Sequence, residues 1–432
     1  MKSRTIDVDY LARVEGEGAI HVKVKGNKVT DVQLKIFEPP RFFEAFLRGR
    51  NFTEAPDITA RICGICPIAY QMSAVHAMED ALGVKVEGQL RALRRLIYCG
   101  EWIESHALHV YMLHAPDFLG YPDAIQMAKD YPKEVQRALE LKKIGNELLK
   151  AIGGRSVHPV NACVGGWYRW PDAAPLKALL PELEWGLEFA KETVRWSLTL
   201  PYPDLEIDYE FVAIHHPDEY GIMLGDIWSS KGSKISIKDF ETHYIEEQVQ
   251  HSNALHGHTV DGSTYLVGPL ARLNLNHEQL MPNAKRVLKD AKLKLPLKNP
   301  YKSLIARAIE LVHFYEEAIA LVKTYNPSGP AHTGIKLMAG EGAGASEAPR
   351  GLLYHRYKID ENGLIRFVKI TPPTAQNLPR IEADLLALVP KLVKMEQERA
   401  TLTAEQLVRA YDPCISCATH FLKLKIEEIN HS

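Results

Sequence analysis

The chain has only six cysteines in 432 residues, which is too sparse for a disulfide scaffold. It also has no excess of charge of one sign, since 52 Lys and Arg stand against 54 Asp and Glu and give a formal net charge of -2. A balance so close to neutral provides no overall basic field for nucleic acid or for an anionic membrane surface. Any charged partner must therefore be bound locally.

Long hydrophobic runs are also missing, and no uninterrupted apolar stretch reaches membrane-spanning length. The N-terminal segment MKSRTIDVDYLARVEGEG lacks the apolar core and the small-residue cleavage site of a secretory signal. We therefore expect a cytoplasmic protein, although a partner could carry an export signal for both chains. Repeats, low-complexity segments and long Pro/Gly/Ser linkers are absent as well.

What is present is ample material for a packed core, with 46% hydrophobic and 25% charged residues. Length alone would allow two or three domains. The simplest architecture is mainly α with small β-sheets (α+β), built as one large helical core. We expect a single domain over 1–432, divided into a β-rich part at 1–60, a helical core at 61–203, a mixed α/β part at 204–377, a C-terminal helix and metal-site segment at 378–420, and a tail at 421–432.

The hydrophobic periodicity places the elements. Alternation over residues 5–37 with a turn at Gly26-Asn27 predicts a β-hairpin or small sheet. Residues 204–238 are expected to be β-rich or irregular, and 352–370 to form a strand pair around a turn at 361–363. Helices are predicted over 68–82, 89–114, 132–152, 174–198, 239–254, 278–292, 300–324 and 378–411.

Four of the cysteines form two C-x-x-C motifs near opposite ends of the chain, RICGICP at 61–67 and DPCISCATH at 412–420. This spacing puts both sulfurs on one face of a helix or tight turn, so two such pairs can supply four thiolates to one metal ion. Soft thiolates suit nickel, iron or zinc. A structural zinc site and two independent redox pairs are the alternatives. Zinc ribbons usually space their pairs by tens of residues, and redox pairs typically follow a strand, so a shared metal site is favoured.

The second motif also carries helix signals. Asp412 and Pro413 suit an N-cap and a first helical position, which would put Cys414 and Cys417 in the first turn. The positive end of a helix favours thiolates. His420 would project from the same face and could ligate a metal or donate a hydrogen bond.

Six motifs occur in order along the chain: ARVEGEG, PRFFE, RICGICP, SHALHVYMLHAPD, EAPRG and DPCISCATH. Together they resemble the large, catalytic (alpha) subunit of a nickel-iron (NiFe) hydrogenase. The resemblance covers essentially the whole chain and is strongest to the cytosolic, bidirectional, NAD(P)-linked or sulfhydrogenase branch. It implies reversible heterolytic cleavage of dihydrogen, with electrons passed on to NAD(P) or to sulfur or polysulfide.

The resemblance implies a ligand set. Cys63, Cys66, Cys414 and Cys417 would bind nickel, and Cys66 and Cys417 would also bridge to an iron that carries carbon monoxide and two cyanides. Cys63 and Cys414 would be terminal ligands. Dihydrogen is a very weak acid until a metal polarises it, so a nearby base must accept the proton. A terminal thiolate, Cys414, would be that base.

Five further residues match functional positions of the family. Glu15 would relay protons from the terminal cysteine, Arg350 would lie over the open metal position and the cyanides, and Thr374 would donate a hydrogen bond to a cyanide. Asp117 and Asp412 would be carboxylates near the metal centre. The alternatives are an exposed strand carboxylate for Glu15, a surface salt bridge for Arg350, a turn threonine for Thr374 and a helix cap for Asp412.

A second metal ion is implied by the same resemblance. Glu44 and the C-terminal His420 would hold magnesium or iron, because a carboxylate with an imidazole and a carbonyl oxygen suits such an ion. In the family a nickel-dependent maturation protease removes the residues after that histidine. We therefore expect cleavage between His420 and Phe421.

Some residues depart from the pattern or lie outside it. Tyr70 stands where many relatives have a histidine, and a phenol can donate a hydrogen bond but does not titrate near neutrality. Four histidines are expected mainly as packed, hydrogen-bonded framework and two cysteines as buried apolar thiols; these are His106, His109, His114, His158, Cys99 and Cys163.

No cysteine is left over for an iron-sulfur cluster, so electrons must leave through a small subunit that carries such clusters. Flavin- and NAD(P)-binding subunits, further iron-sulfur subunits, the protease and nickel-insertion proteins are the other expected partners. The competing interpretation is a catalytically inactive hydrogenase-like scaffold subunit of a respiratory-complex type assembly. Such relatives have lost the four cysteines, and this chain has all four.

Overall fold

The computed structural model describes residues 3–25 and 28–419. The predicted turn at Gly26-Asn27, His420 and the tail therefore lie outside the described residues. Within them the fold is mainly helical with small antiparallel sheets, which confirms the predicted fold class.

The N-terminal part is a three-stranded antiparallel sheet of β1 (Ser3–Val8), β2 (Gly18–Lys25) and β3 (Lys28–Ile36), in that order. It confirms the alternation in the sequence, because the inward-facing Ile6, Ile20 and Ile36 are all buried. Two short helices come next, α1 (Phe43–Leu47) and α2 (Ala55–Thr59).

The helical core begins with α3 (Pro67–Leu82), whose proline stands in the first turn and whose end is capped by Gly83 in the left-handed conformation. The next elements are α4 (Gly88–Leu108), a π-helical turn (His109–His114), α5 (Ala115–Leu119), α6 (Ala124–Met127), α7 (Pro132–Gly153), β4 (Ala162–Cys163), β5 (Gly166–Trp167), α8 (Ala173–Ala178) and α9 (Leu180–Ser197).

Close packing joins these helices. A Cβ at Gly145 of α7 would lie 2.7 Å from the carbonyl oxygen of Gly100 in α4, so the two helices approach where neither has a side chain. The helix α4 also packs against α13 (Ser303–Thr324), which packs against α9. One hydrophobic cluster runs from Ile6 to Ala418. The single-domain division stays a prediction.

The middle of the chain mixes helices and strands. Its elements are β6 (Val212–His215), β7 (Asp226–Ser229), β8 (Lys234–Ile235), α10 (Phe240–His243), β9 (Tyr244–Gln248), β10 (Leu255–Thr259), α11 (Pro269–Asn276), α12 (Pro282–Asp290), α13, β11 (Gly340–Ala348), β12 (Gly351–Ile359) and β13 (Ile365–Thr371). Three antiparallel sheets form here, with orders β6-β7-β8, β10-β9 and β11-β12-β13.

The last elements are α14 (Pro373–Leu392), α15 (Gln397–Ala410) and α16 (Ile415–Ala418). The predicted helix over 378–411 is thus two helices, and the one over 174–198 is also divided. The predicted helix over residues 239–254 is wrong, because the chain continues into the β9–β10 hairpin after His243. None of the described helices is long and apolar enough to cross a membrane.

Candidate metal centre

The two C-x-x-C motifs meet inside the fold. Cys63 comes directly after the 3-10 turn Ala60–Ile62, and Cys66 directly precedes α3. Cys414 precedes α16, and Cys417 lies within it. The four sulfurs lie within 4.8 Å of one another and all four residues are buried. The predicted shared site is therefore present as a pocket of four cysteine sulfurs, which we call the thiol centre.

Sulfur contacts within the thiol centre are close. The Sγ atoms of Cys63 and Cys414 are 3.6 Å apart, and Cys414 is paired with Cys417 as a disulfide, so ligation by both requires their reduced form. The Cys63 sulfur accepts hydrogen bonds from the backbone N–H groups of Ile65 and Cys66 at 3.3 and 3.2 Å. A hydrogen bond with Cys66 lowers the pKa of the Cys63 thiol and raises that of Cys66. Cys63 is thus the readier of this pair to act as a thiolate.

Glu15 reaches the thiol centre from the opposite end of the chain. Its Oε2 lies 3.1 Å from the Cys414 sulfur, within reach of the thiol hydrogen once that cysteine is reduced, and accepts from the Ser416 backbone N–H at 3.1 Å. Its backbone carbonyl accepts from the N–H of Ile415 at 2.9 Å, within a parallel bridge between Glu15 and Cys414. The carboxylate is thus held against a cysteine sulfur by main-chain contacts.

The prediction that Asp412 caps a helix is wrong. The helix α16 begins at Ile415, and Glu15 supplies the acceptors at its start. Asp412 itself has a left-handed backbone with φ 54°. Its carboxylate forms ion pairs with Arg350 at 3.1 Å and with Arg307 at 3.3 Å, because these buried guanidinium groups need an anion.

Arg350 is 2% exposed and faces the thiol centre. Its Nε donates to the Asp412 carbonyl oxygen at 2.9 Å, while its Nη1 has no hydrogen-bond partner among the described residues. Burial opposes the charge, but Asp412, the thiols of Cys66 and Cys63, and Glu15 raise the pKa of Arg350 above its ordinary value. A buried, unpaired donor beside four sulfurs fits a ligand with acceptor atoms, and soft sulfur donors fit nickel and iron.

A family model described as nickel-dependent hydrogenase matches residues 41–157 and 242–420. Together these ranges cover more than half of the chain. The chain belongs to the nickel-dependent hydrogenase family.

Curated relatives and solved structures agree with this assignment. The sulfhydrogenase 1 subunit alpha of Pyrococcus furiosus is 35% identical over 97% of this chain and 98% of its own length. The NAD-reducing hydrogenase HoxS subunit beta of Cupriavidus necator is 28% identical over 97% of this chain and 95% of its own length. A crystal structure of an NAD+-reducing NiFe hydrogenase has the same fold, with a TM-score of 0.87 and 24% identity over 96% of this chain and 99% of that chain.

The chain is therefore the large subunit of a nickel-dependent hydrogenase, an oxidoreductase acting on hydrogen, with a four-cysteine metal-binding site. Thr374, near the start of α14, accepts a hydrogen bond from the Cys414 backbone N–H at 2.9 Å. Tyr70 is buried in α3, its hydroxyl has no hydrogen-bond partner in the described part of the chain, and burial raises its pKa well above the usual value.

Asp117 is paired with two arginines. Both carboxylate oxygens accept from Arg409, at 2.8 Å each, and Arg13 also pairs with it. Arg409 further donates to the carbonyl oxygen of Ala12 at 3.1 Å. Among the described contacts, Asp117 therefore fixes the N-terminal segment that carries Glu15, and its catalytic role stays a prediction.

Glu44 lies on α1, and its Oε1 accepts from the Ile370 backbone N–H at 2.8 Å. Its predicted partner His420 lies outside the described residues. The preceding residue, Thr419, accepts through its carbonyl from the Arg41 N–H at 2.6 Å. The described end of the chain is thus adjacent to the segment that carries Glu44.

Arg41 is a site residue that the sequence did not single out. Its Nη2 donates to the carbonyl oxygens of Ile62, at 2.7 Å, and of Ser416. One side chain therefore ties the segment before Cys63 to the segment between the other two cysteines. The PRFFE motif contains this residue, but only Glu44 was chosen from it.

Glu101 was also missed. It is fully buried in α4, and its carboxylate accepts from the backbone N–H groups of Ile68 and Ala69 at 2.6 and 3.2 Å. These are the free N–H groups at the start of α3, directly after Cys66. Burial raises the pKa of Glu101 well above its usual value. Two glutamates, Glu101 and Glu104, within the mainly apolar segment LIYCGEWIESHAL were the only signal in the sequence.

Behind Asp412 lies a set of buried charges that we call the ion network: Arg307, His106, Glu310, Arg272 and Glu347. Glu310 accepts from His106 at 2.8 Å and from Arg272 at 2.8 and 3.1 Å. Arg272 also pairs with Glu347 at 3.1 Å. His106 is thus framework, as expected, and His109 bonds to the Arg409 carbonyl oxygen at 2.8 Å.

The other predicted framework residues differ in burial. His114 is buried beside the rings of His109 and Phe118, and the Nδ1 of His158 donates to the Ala60 carbonyl oxygen at 2.7 Å. Cys99 is fully buried as predicted, whereas Cys163 is only partly buried.

Proposed function

We propose that this chain is the catalytic subunit of a NiFe hydrogenase that cleaves and forms dihydrogen reversibly by heterolysis. The observation that carries the proposal is the meeting of four cysteine sulfurs within 4.8 Å beside Glu15 and Arg350. Cys63, Cys66, Cys414 and Cys417 would hold nickel, and Cys66 and Cys417 would also hold an iron that carries carbon monoxide and cyanide ligands.

The protein's own groups would handle the proton. A bound nickel-iron centre would supply the Lewis acidity that polarises dihydrogen. The Cys414 sulfur is the proposed proton acceptor, and Glu15 Oε2 lies 3.1 Å away to receive that proton. Because main-chain contacts hold Glu15 at this distance, the transfer requires no large rearrangement of the carboxylate.

Arg350 and Thr374 would bind the diatomic ligands of the iron. The free Nη1 of Arg350 can donate to a cyanide nitrogen, and Asp412 positions the guanidinium by accepting from its other atoms. Thr374 uses its oxygen to accept from Cys414, so its hydroxyl hydrogen is left to donate to a second cyanide. Such donors tune the electron density on a metal.

Glu44 and His420 are proposed to hold a magnesium or iron ion next to the centre. The contact between Arg41 and Thr419 supports this, because it brings the residue before His420 to the segment that carries Glu44. Removal of the tail after His420 is part of the same proposal. Intact-mass measurement of active enzyme should find 12 residues fewer than the 432-residue chain, and active protein with the full tail would contradict it.

The partners are proposed by chemistry. A small subunit with iron-sulfur clusters would take the electrons, and flavin- or NAD(P)-binding and iron-sulfur subunits would pass them to NAD(P), sulfur or polysulfide in the cytoplasm. The names of the sulfhydrogenase and NAD-reducing relatives support this range of acceptors. A maturation protease and nickel-insertion proteins would assemble the centre.

The decisive experiment is metal analysis of the complex purified with its partners. We expect nickel and iron in the preparation and infrared bands of metal-bound carbon monoxide and cyanide. A Cys163→Ala enzyme should keep both signals, because this thiol is not part of the centre, whereas Cys63→Ala should lose them. An assembled wild-type complex without nickel and without these bands would overturn the proposal in favour of an inactive scaffold subunit.

A further inference from the structure

Three side chains outside the thiol centre form a second cluster of metal-binding groups. His251 lies in the turn after β9, His256 lies in β10 and Glu382 lies in α14. One ligand atom from each of the three lies within 4.8 Å of the others. We call this group the imidazole cluster.

The two histidines lie at different distances from the Glu382 carboxylate. His251 Nε2 is 2.7 Å from Glu382 Oε1, which is a hydrogen bond. His256 Nδ1 is 3.9 Å from Glu382 Oε2, which is too long for a hydrogen bond. Two bonds of about 2.0 to 2.2 Å to one shared cation can span that gap. The carboxylate is also oriented from behind, because the Leu34 backbone N–H donates to Oε1 at 2.8 Å.

The charges around Glu382 favour a cation as well. Within the described ranges no lysine or arginine forms an ion pair with this carboxyl, whose ion-pair contacts are with the two imidazoles. His256 is 2% exposed, and its Nε2 has no hydrogen-bond partner among the described residues. A partly buried carboxylate thus faces two imidazoles, and this set of side chains supplies donor atoms that bind metal ions.

The cluster is accessible from solvent. His251 lines an open cavity of about 520 Å³ that also contacts Lys35 and Asn253. A cation can enter by this route, and water can occupy the coordination positions that the protein leaves open. Catalytic and regulatory metal sites with three protein ligands commonly have such an open side.

We propose that His251, His256 and Glu382 bind one divalent transition-metal ion of the zinc class. Two imidazoles and one carboxylate suit such an ion better than magnesium or calcium, which prefer all-oxygen sites. The ion would tie the β9–β10 hairpin to α14, and Glu382 already joins α14 to β3 through Leu34. The same helix carries Thr374, which bonds to Cys414, so the ion would stabilise the support of the thiol centre without sharing a ligand with it.

The test is zinc binding by the assembled, nickel-loaded complex after loosely held metal has been removed. Equilibrium dialysis with zinc ion should find one equivalent beyond the native metal content. In His251→Ala and in Glu382→Gln the affinity should fall by at least about 100-fold, since even partners behind the ligands are worth about 10- to 100-fold. The nickel content of both variants should stay at the wild-type level.

A matched control is His243→Ala, which removes a histidine just before β9 that bonds to Thr242 and not to the cluster. It should bind zinc like the wild type, and zinc should raise its melting temperature but not that of His251→Ala. Absence of the extra equivalent in the wild type would overturn the proposal. Wild-type affinity in both His251→Ala and Glu382→Gln would also overturn it, because the zinc would then lie elsewhere.

Discussion

The thiol centre and the ion network are both buried, but they contain opposite kinds of groups. The thiol centre brings four sulfurs of the same kind together, with Glu15 as a second acceptor and one free guanidinium donor. The ion network alternates acids and bases, so that Arg272 pairs with both Glu310 and Glu347. The first group needs a ligand to be complete, while the second is largely completed by the protein itself.

This difference separates catalysis from stability. The sulfurs of the thiol centre contact each other and Glu15, and on the proposed function they would hold the metals, so their loss should remove activity and leave the fold. In the ion network Arg272, Glu310 and Glu347 pair with each other in a low-dielectric interior, so the loss of one leaves an unpaired buried charge. Substitutions in the thiol centre should therefore lower activity, and substitutions in the ion network should lower the free energy of unfolding.

The largest effect is expected for Cys414→Ala. Loss of a terminal ligand and proton acceptor should abolish hydrogen uptake, while circular dichroism still shows a folded chain, since Cys414 belongs to no ion pair of the network. Cys163→Ala is the control and should retain activity. Substantial uptake by Cys414→Ala would refute the role of this sulfur.

The next largest effect on hydrogen uptake is expected for Glu15→Gln. The amide keeps the shape but cannot accept a proton, so hydrogen uptake should fall by about 10²- to 10⁴-fold, the usual range for a lost general base. Melting temperature should change little. The neighbouring exposed Glu17→Gln serves as control, and equal losses in both variants would mean that charge rather than proton transfer is measured.

Glu310→Gln should lower the free energy of unfolding by about 3 to 5 kcal/mol, because Arg272 loses its buried partner. Denaturant titration at neutral pH measures this. The control is Glu184→Gln, which breaks an exposed ion pair with Lys323, a residue of α13 like Glu310. It should lower the free energy of unfolding by about 1 kcal/mol or less. A cost as small for Glu310→Gln would show that the network contributes little to stability.

The smallest expected effect is a pH dependence of the difference in unfolding free energy between the wild type and Glu310→Gln. Burial by itself would raise the pKa of Glu310, but Arg272 and the hydrogen bond from His106 lower it to about 2. A carboxyl with a lowered folded-state pKa stabilises fully above its unfolded value of about 4.3 and loses this contribution as the pH falls through the folded value. The gap between wild type and Glu310→Gln should thus shrink from about pH 5 toward pH 2. A gap that is constant over this range would argue against an ionised Glu310.

Sequence patterns located the thiol centre because its cysteines lie in two short motifs. The three-residue spacing of the cysteines and the order of the motifs were sufficient to select Cys63, Cys66, Cys414 and Cys417. The pairings of the ion network had no such signal, although Glu347 and His106 stand in two of the six motifs. Nothing along the chain joins them to Arg272 or Glu310, and a single charged residue is compatible with an exposed position as well as with a buried pair.

The prediction of secondary structure from the sequence was wrong where tertiary contacts override local conformational preference. Residues 244–248 are rich in glutamate and glutamine, which favour helix, yet they pair with β10 because Tyr244 packs in a cluster with Phe240 and Tyr265. The strand β11 was missed because its glycines lower strand preference. A Cβ at Gly342 would collide with the backbone of Ala77 in α3, so the close contact between strand and helix requires glycine there.

The sequence by itself determined the family, the mainly helical fold and the four thiols, because the ordered motifs, the hydrophobic periodicity and the cysteine spacing all lie along the chain. Only the tertiary structure decided which groups surround the thiols. Glu15 rather than Asp412 supplies the acceptors at the start of α16, Arg41 joins the two cysteine segments, and Asp412 turns to two buried arginines. These choices depend on distances between residues hundreds of positions apart, which local pattern does not encode.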